Sequence, residues 1–286
     1  MRKMQKVTVV AEVGSNHLGS LDLALEHVWR AAQCGADAVK FQLFRAHLLD
    51  SRPEVQDLLR PLEVPRDWLL PLHTEAHKQG MQFIVTPFDL EACSWLRGLV
   101  DQVKISAYDL TYLPLIIAAS KLDVPVILST AMATIAEVQM AVNWSNAGLP
   151  CTLLHGTAAY PANDPASWNL RAIYTLGKIF PWCGVGLSDH TLGYQAAVMA
   201  VTLGAAMIEK HFTLDRENGS PDAVVSFDPP MLGSFIREIR GTEESLGAGS
   251  KTGPQPCEMP LYLTCRRTKS KPLRGESRLL VEGNDD

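Results

Sequence analysis

Gly186-Leu-Ser-Asp-His-Thr191 and Ile208-Glu-Lys-His-Phe-Thr213 decide the fold. The segment from Val185 to Thr213 reads as a strand, a helix and a second strand. Each strand is apolar until its last residues, where Ser188, Asp189 and His190, then Glu209, Lys210 and His211, crowd together. Strand side chains alternate faces, so Ser188 with His190, and Glu209 with His211, each share a side. Parallel neighbouring strands bring both histidines to one end of a sheet. His190 and His211 are therefore a candidate metal pair, and hydrogen-bonded core histidines are the competing reading.

Working outward, Val7 to Val13 is a β-branched strand ending in Glu12 and Gly14. Ser20 then caps a helix whose Leu21, Ala24, Leu25, Val28 and Ala32 fall at helical spacing up to Gly35. Ala38 to Phe44 repeats the strand, and residues 45–66 with their prolines form a longer connection to a helix near 67–78. Strands are expected near 81–86, 102–106, 124–130, 151–156, 183–188 and 207–212, and helices near 89–99, 112–121, 134–147, 168–178 and 193–203. A last helix spans 231–246. Strand and helix alternating eight times predicts a (β/α)₈ TIM barrel over residues 1–246 in the α/β class, with catalytic groups at the strands' C-terminal ends. The rival, a doubly wound open sheet, lacks a G-x-G-x-x-G after the first strand. Residues 247–286 begin as a Gly/Pro-rich linker and continue as a short irregular tail, expected to be poorly ordered or completed by another subunit.

At 286 residues and 47% hydrophobic, the chain can bury one large core. A net charge of −5 leaves no broad basic surface, so nucleic acid and anionic membrane are not expected partners. Six cysteines without a C-x-x-C pair suit free, reduced thiols in apolar settings. With no apolar leader and no run of the ~18 residues that a spanning helix needs, a cytoplasmic protein is expected.

The strand ends supply Glu12, Lys40, Gln42, Thr86, Lys104, Ser106, Ser129, Thr130, His155, Thr157, Ser188, His190, Glu209 and His211. A lysine on a barrel strand is costly to bury unless it meets an anion. Lys40 and Lys104 thus read as a carboxylate or phosphate site supported by Thr86, Ser106, Ser129 and Ser188, as Schiff-base lysines, or as partners of structural carboxylates. Glu12 and Asp109 are candidates for proton transfer, and Tyr160 and Asp222, on loops at the same mouth, for substrate contacts. Asp189 is read as structural and His155 as lining or bracing the barrel. His17 is read as a surface or rim residue, and His27, His47, His73 and His77 as solvated.

Taken in order, Ala11-Glu-Val-Gly-Ser-Asn-His-Leu-Gly19, Ala36-Asp-Ala-Val-Lys-Phe-Gln42, Thr86-Pro-Phe88, Lys104-Ile-Ser-Ala-Tyr-Asp109, Leu128-Ser-Thr-Ala-Met132, Gly186-Leu-Ser-Asp-His-Thr191 and Glu209-Lys-His-Phe-Thr213 resemble the sialic acid synthase family. The resemblance implies condensation of phosphoenolpyruvate with an N-acetylated amino sugar, a (β/α)₈ barrel, a divalent ion such as Mn2+ or Mg2+, and a homodimer. It matches His190 and His211 to metal ligands. Lys40, Thr86, Lys104, Ser129 and Ser188 match positions around phosphoenolpyruvate, and Glu12, Gln42, Asp109, Tyr160 and Asp222 match positions near the sugar or the reacting carbons. Three departures stand out. Ser106 and Ala107 are in swapped order, Ala158 replaces a polar residue, and an antifreeze-like C-terminal domain, which in the family lends an arginine to the partner's sugar site, is expected to be missing. Each absent hydroxyl costs ~1–3 kcal/mol if the phosphate is left underpaired. The alternatives are a Schiff-base aldolase and an inactive barrel acting as a sugar-phosphate sensor or scaffold.

Overall fold

The computed structural model describes residues 6–145, 148–247 and 249–267. Eight parallel strands close into a barrel in chain order: β1 (Thr8–Glu12), β2 (Ala38–Leu43), β3 (Gln82–Pro87), β4 (Gln102–Ile105), β5 (Val126–Ser129), β6 (Cys151–Gly156), β7 (Gly184–Asp189) and β8 (Met207–His211). Closure comes from β8 pairing with β1, which sets Glu12 beside His211. The helices are α1 (Leu21–Gln33), α2 (Ala46–Leu49), α3 (Pro53–Leu59), α4 (Leu69–Lys78), α5 (Leu90–Ser94), α6 (Leu113–Ser120), α7 (Ile135–Ser145), α8 (Arg171–Ile179), α9 (Gln195–Thr202), α10 (Pro229–Leu246) and α11 (Met259–Cys265).

The period of two sorts each strand between two cores. Outward residues such as Val39, Phe41, Val85, Leu128, Leu153 and Ile208 pack under the helices, whereas Val10, Ala38, Ile84, Ile127, Leu154 and Met207 form a separate apolar layer inside the barrel. Two positions further along the same strands, the inward residues become Glu12, Lys40, Thr86, Ser129, Gly156 and Glu209. The apolar layer is thus a floor, and the polar residues sit on it at the strands' C-terminal ends.

Helix boundaries depart from expectation where local chemistry intervenes. Asp89 caps α5 by accepting from Ala92 N, but the helix ends at Ser94 rather than near 99. There the Trp95 and Leu96 N–H groups turn to the carbonyls three residues back, and Gly98 follows at φ +75°. α10 starts at Pro229, two residues early, because prolines are tolerated at the first helical positions and Asp228 accepts from Met231 N at 2.9 Å. The 45–66 connection folds into α2 and α3.

Arg2–Leu246 forms one compact unit, and the chain from Gly247 belongs to another. Within the latter, the expected irregular segment holds a 3₁₀ turn at Pro256–Glu258, closed by a Gln255–Glu258 capping box, followed by α11. The expectation of poor order beyond this falls on residues 268–286, outside the described residues. No helix of the described residues is long and apolar enough to cross a membrane.

Candidate active site

Above the apolar floor opens a cavity of about 400 Å³ lined by Glu12, Lys40, Gln42, Thr86, Lys104, Ser129, Tyr160, Ser188, His190, Glu209, His211 and Asp222 among others. Eleven of the twelve residues that the family resemblance matched to the site therefore converge on one mouth; Asp109 lies beside it rather than in its lining. The strand register explains the convergence. Glu12 pairs with Lys40 and His211, Gln42 with Thr86, and Ser188 with Glu209.

Both lysines are buried and both meet carboxylates. Lys40 Nζ lies 2.8 Å from Glu12 Oε2 and 3.7 Å from Glu209 Oε2, and donates to Thr86 Oγ1 at 3.1 Å. Lys104 donates to Glu209 Oε1, which also accepts from Ser188 Oγ at 3.0 Å, while Gln42 Nε2 donates to Glu12 Oε1 at 2.6 Å. Burial opposes charge on Lys40, but Glu12 and Glu209 outweigh it and raise its pKa. At Lys104 burial wins over the attraction of Glu209, helped by repulsion from Lys40, and the pKa falls below the ordinary lysine value. Glu209 is also opposed by burial, yet Lys104 and Lys40 hold its carboxyl below the usual range. Glu12 Oε2 and Glu209 Oε2 are buried without a hydrogen bond. Glu209 Oε2, 3.7 Å from Lys40, thus retains an acceptor for a hydroxyl entering the cavity, whereas Glu12 Oε2 faces the Lys40 ammonium at 2.8 Å.

His190 and His211 stand side by side, with ring centres 5.7 Å apart. His190 Nδ1 is 2.8 Å from the Thr157 carbonyl, so it donates and leaves a lone pair on Nε2. Burial, His211 and Lys104 lower the His190 pKa to about 3, so the imidazole is neutral. His211 Nδ1 is buried without a hydrogen-bond partner. An ion ~2.1 Å from a ring nitrogen sits ~3.2 Å from the ring centre, so two rings sharing one ion have centres no more than ~6.4 Å apart. The pair meets that limit. No group of three or more His, Cys, Asp or Glu side chains among the described residues is arranged to hold an ion. The two imidazoles therefore fit a weakly held divalent cation completed by oxygens from water or substrate. Tyr160 covers them, its ring 4.1 Å from His190 and 5.9 Å from His211.

Asp189 faces away from the mouth and pairs with the fully buried Lys210 at 3.5 Å. Asp189 also accepts from Thr191 N at 2.8 Å, and Lys210 donates to the Thr191 carbonyl, so the pair fixes the turn that carries His190. His155 likewise points out of the barrel mouth and braces the β6 loop through Trp168 O at 2.8 Å. Asp109 accepts from Ser106 Oγ at 2.9 Å, which commits that hydroxyl, and burial raises the Asp109 pKa. Ala107 and Ala158 line the cavity as methyl groups.

Asp222 Oδ2 accepts from Ser15 N at 2.7 Å and Ser15 Oγ at 2.6 Å. Ser15 Oγ also shares a hydrogen bond with Ser220 Oγ at 2.7 Å. Gly14 permits this grip: it lies at φ +54°, and a Cβ there would come within 2.3 Å of Asp222 Oδ2. Sequence reasoning did not single out Gly14, Ser15 or Ser220 for this role. The usable signal was a glycine two residues after a strand-end carboxylate. Two histidine readings are corrected. His17 and His27 are buried, because the loop after β1 folds inward under Trp68 and Phe41, while His27 packs edge-on to Phe212 and holds Leu23 O through Nδ1. Burial lowers the pKa of each to about 4.

The fold is a parallel (β/α)₈ barrel whose charged and polar side chains gather at its C-terminal face. The chain belongs to the NeuB family, whose model matches residues 27–251. It is 40% identical over 270 residues to an uncharacterized protein of Methanocaldococcus jannaschii, spanning 93% of this chain and 79% of that one. It is 35% identical over 282 residues to the N,N'-diacetyllegionaminic acid synthase of Legionella pneumophila, spanning 91% and 78%. Among solved structures, the N-acetylneuraminic acid (sialic acid) synthetase of Leptospira borgpetersenii serovar Hardjo-bovis in complex with citrate superposes with a TM-score of 0.83 at 34% identity, covering 89% of each chain.

Proposed function

We propose that the chain condenses phosphoenolpyruvate with the open-chain aldehyde of an N-acetylated amino sugar, giving a nine-carbon sugar acid and inorganic phosphate. The observation that carries the reading is the pair of buried lysines, Lys40 and Lys104, beside the Thr86, Ser129 and Ser188 hydroxyls at the floor of the cavity. Cations and neutral donors converging in a water-poor pocket suit an enol phosphate. Family membership and the names of the legionaminic and neuraminic acid relatives support the same class.

In this reading Lys40, Lys104 and the three hydroxyls hold the phosphate and carboxylate. Asp222, fixed by Ser15, and Tyr160 hold the sugar. Glu12, clamped by Gln42 and Lys40, orients the water that adds at the former enol carbon and takes its proton as phosphate departs. Glu209 accepts a sugar hydroxyl through its free oxygen, and Asp109 is a second proton-handling group at the rim. His190 and His211 would hold Mn2+ or Mg2+, which supplies Lewis-acid polarisation of the aldehyde oxygen. The reading includes a cytoplasmic homodimer, which sedimentation of the full chain checks.

The deciding experiment incubates the protein with Mn2+, phosphoenolpyruvate and a panel of 2-acetamido sugars and follows phosphate release. Release dependent on both substrates is expected; none with any sugar, together with no metal binding, overturns the reading. A Schiff-base aldolase has one specific observation in its favour, the lowered pKa of Lys104. Borohydride trapping with pyruvate separates the two, since a stable lysine adduct belongs only to the aldolase.

A further inference from the structure

Cys151 and Cys183 take no part in the site above. Cys151 opens β6, and Cys183 directly precedes β7. Thr152 pairs with Gly184, so the two cysteines stand abreast one step below the first paired residues, at the end of the barrel opposite the cavity. In-register residues on parallel strands share a face, and both cysteines pack against the outer apolar layer beneath the helices. Neighbouring strands run ~4.8 Å apart, inside the ~4.4–6.8 Å between Cα atoms that a disulfide spans. Both thiols are half-buried, so neither is sealed in the core.

The immediate surroundings separate their roles. The two thiols act on each other, the neighbouring sulfur raising the pKa of Cys151 and lowering that of Cys183. Ser145 Oγ lies 3.9 Å from Cys151 Sγ on the other side. Cys183 thus carries the thiolate character and Cys151 stands ready as its partner. The remaining cysteines are placed differently. Cys34 donates to the Pro229 carbonyl at 3.3 Å, Cys93 is buried with its pKa pushed up to about 11 by burial, and Cys257 and Cys265 are exposed.

We propose that Cys151 and Cys183 form a reversible redox site that closes to an intramolecular disulfide under hydroperoxide. The Cys183 thiolate attacks one peroxide oxygen, the O–O bond breaks, and Cys183 becomes a sulfenic acid as hydroxide or alkoxide leaves with a proton. Cys151 sulfur then attacks the sulfenic sulfur. The S–O bond breaks, water departs, and two thiols have been oxidised while one peroxide has been reduced. A bridge between adjacent parallel strands with partly exposed sulfurs belongs to the labile class that small thiols reopen.

The test uses the full chain carrying Cys257→Ser and Cys265→Ser, which removes the exposed thiols. The protein is reduced, exposed to hydrogen peroxide, denatured in iodoacetamide and digested without reductant. The expected result is one cross-linked peptide pair joining Cys151 to Cys183, lost on adding dithiothreitol. With Cys151→Ser, dimedone is expected to label Cys183, and with Cys183→Ser neither cross-link nor label forms. Alkylation of both cysteines after peroxide, or Cys183 carried to sulfinic acid while Cys151 stays free, overturns the proposal. Should Cys151→Ser fail to fold, the peptide map of the parent chain decides alone.

Discussion

Acid should unfold this protein through histidines that its fold keeps neutral. Burial lowers the pKa of His17 and His27 from 6.5 to about 4. The folded value is depressed, so each group's contribution to stability is intact above pH 6.5 and drains away as the pH falls towards 4, because the unfolded chain takes up the proton first. Going from pH 7 to pH 5 costs ~2 kcal/mol per histidine. His190, with a folded pKa of about 3, adds a similar loss over the same interval. The three together remove ~6 kcal/mol, against a total stability of ~5–15 kcal/mol for a typical domain. The test perturbation is His27→Gln, which keeps a polar group near Leu23 O but cannot titrate. It should flatten the loss between pH 7 and pH 5 by ~2 kcal/mol, measured by urea unfolding followed through tryptophan fluorescence at pH 7, 6 and 5. Parallel stability curves for the two proteins would refute the reasoning, since they would mean that His27 binds its proton equally in both states.

Three further outcomes follow from the cavity. Lys40→Met leaves Glu12 buried without its cation and should cost ~3–5 kcal/mol of stability while weakening phosphoenolpyruvate binding at least ~100-fold, read by urea unfolding and titration calorimetry. Gly14→Ala pushes a methyl into Asp222 Oδ2 at a backbone angle that disfavours side chains. Strain of ~1–3 kcal/mol and a raised KM for the sugar, with phosphoenolpyruvate binding retained, are expected from steady-state kinetics. Dialysis against EDTA should stop phosphate release and added Mn2+ or Mg2+ restore it, whereas His211→Ala should not respond to added metal.

The barrel was legible because parallel strands buried on both faces leave near-continuous apolar runs, and Glu12, Thr86, Ser129, Ser188 and His211 break those runs at or near their C-terminal ends. Lys40, Lys104 and Glu209 announced themselves this way, since nothing in an apolar strand explains them except a shared mouth. What could not be read was which group meets which. The sequence left the lysines open to an anion, a Schiff base or a carboxylate. Only the closed barrel, which sets Glu12 beside Lys40 and lets Lys104 reach across the mouth to Glu209, shows them paired with carboxylates. His17 and His27 were misread for a related reason. A histidine in a glycine-containing loop or on a helix reads as solvated until the chain is seen to fold over it. Ser15 and Ser220 were hidden because their role rests on a contact between loops more than 200 residues apart, which no local pattern encodes.

The pairing sharpens what an anion must do on entry. Lys40 and Lys104 balance Glu12 and Glu209, so the four side chains are together neutral before any ligand arrives. Glu12 is held on one oxygen by Gln42 and on the other by Lys40. Glu209 is held by Lys104 and Ser188, the same donors that a phosphate would use. A phosphate at this floor therefore competes with Glu209 for Lys104 and Ser188 and with Glu12 for Lys40 alone, because Gln42 still holds Glu12, and the Glu209 carboxylate it displaces has His211 as its neighbour on the same strand face. Two carboxylates that look equivalent in the sequence are thus set to different tasks by their partners: Glu12 as a fixed acceptor, and Glu209 as the group that yields its lysine to the substrate.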